Sequence, residues 1–124
     1  MVDLERCFGC RACEVVCRLE HHLGPRQYRT HNLWVSYTNP SRPLEFINVL
    51  CQHCERPACL RACSSTPKAI VKQEGGEVLI DKTLCTGCQE CVKACPFGAM
   101  SFDPQRKVAD KCDLCFIRRQ RGLS

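Results

Sequence analysis

The sequence predicts an α+β fold with two pseudo-repeated halves, each built from short strands, cysteine loops and short helices. The first observation is that fourteen of the 124 residues are cysteine, arranged as three quartets and one final pair. The second is that a strand-like stretch leads into each of these four blocks, which indicates an internal repeat. The third is a thin apolar core, since the 44% hydrophobic fraction includes the cysteines. Such a core usually needs metals or disulfides as internal ties.

The cysteine blocks divide the chain into an inner unit, an outer half and a connector. We expect residues 46–106 to form a complete inner unit, because they contain two full quartets. Residues 1–24 and 107–124 make the outer half, which is incomplete because its last block is only a pair. Residues 25–45 connect the two parts.

The outer half begins with a predicted strand at Val2–Leu4 and a predicted helix at Ala12–His22. The stretch Gly24–Pro43 contains three prolines and is predicted to be a polar connector, interrupted by an apolar spot around Trp34. We favour the interpretation that Trp34 covers the core or a cofactor, and the alternative is a docking surface.

The inner unit alternates strands with cysteine loops. Its predicted elements are a strand at Phe46–Leu50, a hairpin of Ala69–Lys72 with Val78–Asp81, a helix at Glu90–Ala94 and a strand at Ala99–Phe102. One last weak strand is predicted just after this unit, at Lys107–Asp110. The sequence Glu-Gly-Gly-Glu at 74–77 is a hairpin signal. Pro96 ends the helix, because proline has no backbone N–H to continue it.

The first and third quartets share the spacing C-x2-C-x2-C-x3-C, and Pro96 follows the third. This spacing is typical of 4Fe-4S clusters, because three thiolates two residues apart can wrap one cluster if the backbone between them curls into a tight loop. Glycine tolerates the positive φ of such a turn, and Gly9 and Gly87 occupy equivalent positions in the two loops.

In a protein with two such clusters, the last cysteine of each quartet binds the other cluster. The two inner quartets can therefore complete two clusters reciprocally. The predicted ligands are Cys51, Cys54, Cys59 and Cys95 for cluster 1, and Cys63, Cys85, Cys88 and Cys91 for cluster 2. We expect the cluster-free chain to be poorly folded, because cofactor insertion and folding are coupled.

Disulfides and zinc account for the cysteines less well than iron-sulfur clusters do. A disulfide scaffold does not predict repeated triplets at a spacing of two residues. Zinc sites favour C-x2-C pairs grouped in fours, so the third cysteine of each triplet is surplus to a tetrahedral ion. A zinc-binding module that contacts nucleic acid is therefore retained only as an alternative.

Histidines and arginines outside the cysteine loops are predicted to have minor roles. His53 lies between two predicted ligands, but four cysteines already fill each inner site, which disfavours it as an iron ligand. His21 and His22 follow a charged helix and are expected to face solvent. Three arginines near the end are interpreted as a solvated helix face: Arg118, Arg119 and Arg121.

Bulk properties exclude several classes of function. The formal charge of +5 falls to about +1 if two clusters each add about 2−, so it is weak support for a nucleic-acid partner. No catalytic triad, phosphate loop or carboxylate pair is present, so no catalytic residue is predicted. No stretch approaches the ~20 apolar residues of a membrane span, so we expect no direct membrane insertion and no secretion signal.

Three segments carry a resemblance to a known family: Cys51-Gln-His-Cys54, Cys91-Val-Lys-Ala-Cys95-Pro-Phe-Gly-Ala and Ala109-Asp-Lys-Cys112-Asp-Leu-Cys115. With four blocks in this order, the chain resembles the four-cluster iron-sulfur subunits of molybdopterin oxidoreductases. Formate dehydrogenase, dimethyl sulfoxide reductase, polysulfide reductase and hydrogenase-linked complexes contain such subunits. The resemblance covers essentially the whole chain and implies a bacterial dicluster ferredoxin-like fold.

The resemblance also implies that the first and fourth blocks pair. Two incomplete outer sites follow: Cys7, Cys10 and Cys13 would hold cluster 3, and Cys17, Cys112 and Cys115 would hold cluster 4. The family's last block continues with C-x3-C-P, so we expect a chain truncated after Ser124. The alternative is a natural short form, in which the outer sites are empty or are completed by water, another residue or a partner's cysteine. Ser64 also departs from the family, which has proline after the cysteine equivalent to Cys63.

We therefore expect an electron-transfer subunit rather than an enzyme. The resemblance implies that it relays electrons between a molybdenum or tungsten pterin catalytic subunit, or a hydrogenase, and a second partner such as a membrane quinone-reactive subunit. The expected location is the cytoplasm or the membrane periphery within a complex, or the periplasm through a partner's export signal. A free-standing polyferredoxin is a further alternative.

Overall fold

A computed structural model describes residues 3, 6–25, 27–35 and 45–123. The predicted strand Val2–Leu4 lies outside this range except for Asp3. Within the described residues, short helices and antiparallel strand pairs confirm the α+β class. The elements are, in order, α1 (Ala12–Glu20), β1 (Thr30–Val35), β2 (Glu45–Leu50), α2 (Ala58–Ala62), β3 (Ile70–Lys72), β4 (Val78–Ile80), α3 (Glu90–Ala94), β5 (Met100–Asp103), β6 (Val108–Lys111) and α4 (Phe116–Gln120).

In the part of the chain that the structure describes, six strands form three separate two-stranded antiparallel sheets: β1 with β2, β3 with β4, and β5 with β6. The β3–β4 hairpin confirms the prediction from Glu-Gly-Gly-Glu, and Gly76 takes φ 89° in its turn. The strands predicted at Ala99–Phe102 and Lys107–Asp110 are also confirmed, as β5 and β6, each displaced by one residue from its predicted position. Helix α3 has the predicted bounds, whereas α1 ends two residues earlier than predicted.

Strand β1 corrects the prediction of a polar connector over Gly24–Pro43. It pairs with β2 in a register that sets Thr30 opposite Leu50 and Trp34 opposite Phe46. The three prolines of that stretch lie outside β1, so each residue of the strand keeps its backbone N–H for the ladder. The connector prediction is therefore wrong for residues 30–35.

The apolar core lies between the β3–β4 and β5–β6 hairpins and the two short helices α2 and α3, which pack against each other. Its buried members are Ile70, Val78, Cys91, Met100 and Ala109. Predicted ligands also pack against it: Cys59, Cys63, Cys85 and Cys95. Core and predicted cofactor sites are therefore one structure, as the small apolar fraction indicates.

Candidate iron-sulfur sites

The loops of the first and third cysteine blocks have the same local backbone. Gly9 and Gly87 both have φ 73°, and Arg11 and Gln89, two residues further on, have φ 59° and 62°. A side chain at Gly87 would overlap the carbonyl oxygen of Lys107, and one at Gly9 would overlap the ring of Phe46. Both glycines are therefore required by backbone conformation and by close approach of a neighbour.

The four cysteines predicted for cluster 1 line one pocket. Three come from the second block and Cys95 comes from the third, and apolar residues including Pro57, Val78 and Met100 complete the wall. Burial raises the pKa of Cys59, and the nearby thiols of Cys51 and Cys95 add to that effect. The chain thus brings the sulfur-bearing residues of this predicted set together.

The cysteines predicted for cluster 2 also lie close together. Cys91 is 6% exposed. Burial raises its pKa to about 11, with further contributions from Cys85 and Cys88, then Cys59, then Cys63. Cys63, from the second block, is therefore beside the triplet of the third block. The contribution of Cys59 shows that the two predicted inner sites are neighbours.

Two sulfur atoms of this second inner set accept hydrogen bonds from neighbouring groups. The hydroxyl group of Ser64 lies 3.3 Å from Cys88 Sγ, and the backbone N–H of Ala109 lies 3.4 Å from Cys85 Sγ. Ser64 replaces the proline that the resemblance leads one to expect, and its hydroxyl donates to a sulfur atom where proline could not. Hydrogen bonds of this kind tune the reduction potential of a cluster.

The three cysteines predicted for cluster 4 converge from opposite ends of the chain. Cys17 is on α1, while Cys112 and Cys115 precede α4. Burial is the largest effect on Cys17 and raises its pKa to about 11. The nearby thiols of Cys112 and Cys115 also raise this pKa, whereas the positive charge of Arg29 lowers it. Cys17, Cys112 and Cys115 are thus mutual neighbours.

A polar cluster borders this outer site, and it corrects the prediction that His21 faces solvent. The His21 side chain is 16% exposed, and its Nε2 atom lies 3.8 Å from Cys115 Sγ. Arg29 donates to His21 Nδ1 at 3.0 Å and to Asp113 at 2.8 Å. Burial, followed by the charge of Arg29, lowers the pKa of His21. His22 is exposed, as predicted.

The sequence does not predict this polar cluster, because Arg29 lies more than eighty residues before its carboxylate partners. Its second carboxylate contact is with Asp110, at 3.1 Å. In sequence, Arg29 is one of three arginines in a stretch predicted to be a connector. Its ion pairs become evident only when the distant segments are brought together in the structure.

Two of the three cysteines predicted for cluster 3, Cys7 and Cys13, lie beside the β1–β2 sheet. The side-chain amide nitrogen of Asn32 is 3.7 Å from Cys7 Sγ, and that of Asn48 is 3.1 Å from Cys13 Sγ. Asn32 is 1% exposed, so its side chain is enclosed by the sheet and the first loop. Sequence reasoning missed Asn32 because β1 was not predicted, and it missed Asn48 because nothing in the sequence relates the predicted strand Phe46–Leu50 to the first cysteine loop.

Cys10 and Cys13 are exposed, whereas Cys7 is half-buried. All fourteen cysteines are free thiols in this structure, and none is within a disulfide. The donor set therefore consists of thiols, which are gathered in the two inner sets and in the set of Cys17, Cys112 and Cys115, and this suits iron-sulfur clusters better than crosslinks. Metal binding requires the deprotonated thiolate, so iron must displace protons from buried thiols such as Cys17 and Cys91.

The structure also tests the predictions for Trp34 and for the arginines near the end of the chain. Trp34 is 66% exposed, so the preferred interpretation is wrong in placing it over the core, while its covering a cofactor stays a prediction. Arg118, Arg119 and Arg121 are exposed, as predicted, and Arg119 also forms an ion pair of 2.6 Å with the buried carboxylate of Glu77. Arg118 similarly contacts Glu20 on α1 at 2.9 Å. These two arginines attach α4 to the rest of the chain.

Comparison with known proteins identifies the family. The family model described as a 4Fe-4S dicluster domain matches residues 43–124, and a second, described as a 4Fe-4S binding domain, matches residues 4–24. The chain belongs to the 4Fe-4S dicluster proteins. The 4Fe-4S cofactors predicted from cysteine spacing are thereby confirmed, and the zinc alternative is not favoured.

Several relatives are named as subunits of reductases. A tetrathionate reductase subunit of Archaeoglobus fulgidus is 38% identical over 93% of this chain and 53% of its own length. The thiosulfate reductase electron transfer subunit of Salmonella typhi is 37% identical, over 91% and 59%. A subunit of the anaerobic dimethyl sulfoxide reductase of Escherichia coli is 31% identical, over 98% and 62%. The chain thus spans roughly half to three fifths of the length of these curated relatives.

One of these relatives is named as an electron transfer subunit, and the other two are named as subunits or chains of reductases. Among the described residues, no helix is both long enough and apolar enough to cross a bilayer.

Proposed function

We propose that this chain is an electron-transfer subunit that relays single electrons between a molybdopterin-type catalytic subunit and a second redox partner. The observation that carries the proposal is the grouping of cysteines from different blocks, with Cys95 beside the second block's triplet and Cys63 beside the third's. When bound, each 4Fe-4S cluster supplies a centre that accepts and releases one electron.

The ligand assignments follow the predicted sets. Cys51, Cys54, Cys59 and Cys95 hold cluster 1, and Cys63, Cys85, Cys88 and Cys91 hold cluster 2. The resemblance adds Cys7, Cys10 and Cys13 for cluster 3, and Cys17, Cys112 and Cys115 for cluster 4. Apolar residues such as Val78 and Met100 keep water away from cluster 1, and Ser64 and the Ala109 amide hydrogen-bond to ligands of cluster 2.

Three of the four predicted sites adjoin one another. The charge of Cys59 acts on Cys91, so the two inner sites are neighbours. The charge of Cys51 acts on Cys112, so the site with Cys17 adjoins the first inner site. Such an order, from the outer half through cluster 1 to cluster 2, supports a relay across the two halves rather than isolated centres.

The relatives named as reductase subunits support the choice of a molybdopterin-type reductase as partner, and a hydrogenase remains the second candidate. Exposed apolar side chains near the outer half support a docking surface there, with Phe8 77%, Trp34 66% and Leu19 71% exposed. A quinone-reactive membrane subunit is the proposed second partner. The chain would then work at the membrane periphery, in the cytoplasm or, with an exported partner, in the periplasm.

Anaerobic reconstitution tests this function. Iron and acid-labile sulfide are counted per chain, and electron paramagnetic resonance follows reduction with dithionite. The expected result is at least two reducible 4Fe-4S clusters, and a reduced reductase catalytic subunit that passes electrons to them. A chain that loads zinc and no reducible cluster would contradict the proposal, and a loaded chain that accepts electrons equally from unrelated donors would favour a free-standing polyferredoxin.

A further inference from the structure

Lys111 is a buried cation without a carboxylate partner among the described residues. It lies on β6 and is 2% exposed. Its Nζ atom donates hydrogen bonds to the carbonyl oxygens of Val78 and Cys112. The nearby carboxylates are engaged elsewhere, because Asp110 pairs with Arg29 and Lys82, and Glu77 pairs with Arg119.

Burial of an ammonium group without a counter-charge is strongly unfavourable. Carbonyl oxygens satisfy its hydrogen bonds but carry only partial charge, so a full negative charge is expected close by. The two carbonyls that hold Lys111 indicate where that charge lies. Val78 lines the pocket of Cys51, Cys54, Cys59 and Cys95, and Cys112 belongs to the outer set with Cys17 and Cys115.

Lys111 therefore lies between two predicted cluster sites. Burial raises the pKa of Cys59 and the pKa of Cys112, and in both cases the positive charge of Lys111 acts in the opposite direction. The same cation thus acts on a thiol of the inner set and on a thiol of the outer set. The negative charge of the Cys51 thiolate also acts on Cys112 across this boundary.

His53 joins the same buried link. Its Nδ1 atom accepts a hydrogen bond of 2.9 Å from the backbone N–H of Val78, so the ring hydrogen of the neutral imidazole is on Nε2. Nε2 is buried and has no hydrogen-bond partner among the described residues. With Nδ1 used in this way, His53 holds the Val78 peptide, whose carbonyl oxygen accepts from Lys111, and acts as a positioning residue rather than an iron ligand.

We propose that Lys111 is the shared counter-ion of two 4Fe-4S clusters, one at Cys51, Cys54, Cys59 and Cys95 and one at Cys17, Cys112 and Cys115. The proposal rests on the proposed function, since it requires clusters at both sites. Each cluster gains one electron and one negative charge on reduction, and no proton or bond is exchanged. A fixed positive charge between the sites therefore stabilises the reduced form of both and raises both reduction potentials.

The test is an anaerobic redox titration of the reconstituted full chain, followed by electron paramagnetic resonance. Cys54→Ser and Cys17→Ser chains assign the signals to the inner and the outer site. Lys111→Met removes the cation, Lys111→Arg keeps it, and Lys72→Met removes an equal charge from an exposed residue as the matched control. His53→Gln tests the positioning role.

Lys111→Met should lower both reduction potentials by about 59 mV. For a one-electron couple, this shift corresponds to a decrease of about tenfold in the ratio of reduced to oxidised cluster at a fixed potential. Lys111→Arg and Lys72→Met should leave both nearly unchanged, and His53→Gln should give a smaller shift of the same sign. The Lys111→Met chain could also fail to take up clusters. If it lacks both clusters while the Lys111→Arg chain keeps them, the result supports the counter-ion, because arginine retains the positive charge and methionine does not.

Unchanged potentials in a loaded Lys111→Met chain would overturn the proposal, as would a shift at only one site. A chain in which neither Lys111→Met nor Lys111→Arg loads, while Lys72→Met does, would also contradict it, since the requirement would then be for shape rather than charge. An unaltered chain with an inner but no outer cluster would exclude a shared counter-ion while leaving electron transfer by the inner pair intact. An unaltered chain without any cluster would instead refute the proposed function itself.

Discussion

The inner and outer cysteine sets differ in what surrounds them. The inner sets lie against the apolar core, with Cys91 almost fully buried and a pocket wall made of Pro57, Val78 and Met100. The outer sets are surrounded by polar side chains, namely Asn32, Asn48, His21 and Arg29. The inner sites thus depend on local loops and core packing, whereas the outer sites depend on contacts between distant segments.

The largest expected effect separates the two regions by ligand removal. Cys54→Ser should abolish cluster 1 and lower the iron content by about four atoms per chain, because an alcohol is a poor replacement for thiolate. Cluster 2 should be retained. The measurement is iron and sulfide counting with electron paramagnetic resonance. Cys7→Ser is the matched control for the outer half and should leave both inner signals intact; loss of the inner signals in Cys7→Ser would erase the distinction.

A second effect concerns the loop backbone. Gly87→Ala should destabilise the cluster-loaded protein by about 1–3 kcal/mol, because alanine is strained at φ 73° and its methyl group would overlap the Lys107 carbonyl oxygen. Gly98→Ala is the control, since Gly98 also has positive φ but no neighbour near its Cβ position. Denaturant unfolding under anaerobic conditions measures both. Equal destabilisation by the two substitutions would show that close approach adds nothing.

Cluster loading should depend on pH in both regions. Burial raises the pKa of Cys17 and of Cys91 to about 11, and iron binds thiolates, so loading releases protons and should be favoured as pH rises. In the cluster-free chain the sign is opposite. A thiol with a folded pKa above its ordinary value of 9.0 contributes stability below that pH, which is lost as pH rises towards 11.

Two measurements check these signs. Loading at fixed iron and sulfide should increase between about pH 7 and 9, while the folded fraction that remains in the cluster-free chain, followed by circular dichroism, should decrease above about pH 9. Loading that decreases over the first range would contradict the assignment of buried thiols as ligands.

The smallest expected effect is at the inner site that contains Cys88. Ser64→Ala removes the hydroxyl 3.3 Å from Cys88 Sγ and should lower the potential of cluster 2 by less than about 59 mV, with cluster 1 unchanged. Ser101→Ala is the control, because that hydroxyl donates to the backbone oxygen of Asp110 and not to sulfur. A redox titration followed by electron paramagnetic resonance compares the two. Equal shifts would show that the Ser64 hydrogen bond has no special role.

Local patterns predicted the inner region well. Helix α3 and the β3–β4 hairpin could be predicted because Pro96 and Glu-Gly-Gly-Glu act within a few residues. The neighbouring cysteines of the inner sets, including Cys63 and Cys95, also follow from spacing. The ligand roles of all fourteen cysteines stay predictions.

The outer region was predicted less well, because its structure depends on segments far apart in sequence. Strand β1 is stabilised by pairing with β2, so the prolines around it were misleading. Arg29 and His21 gain their burial only where α1 meets the residues around Asp113. Trp34 was misassigned because size and hydrophobicity favour burial, whereas its actual position on the sheet is exposed.

The central claim is that clusters are shared crosswise between the second and third blocks. Anaerobic crystallography at the iron absorption edge tests it most directly, by locating each iron atom relative to the sulfur atoms. The account predicts one cluster bonded to Cys95 together with Cys51, Cys54 and Cys59, and another bonded to Cys63 together with the third block's triplet. Iron bonded to Cys63 or Cys95 together with the triplet of its own block would contradict it.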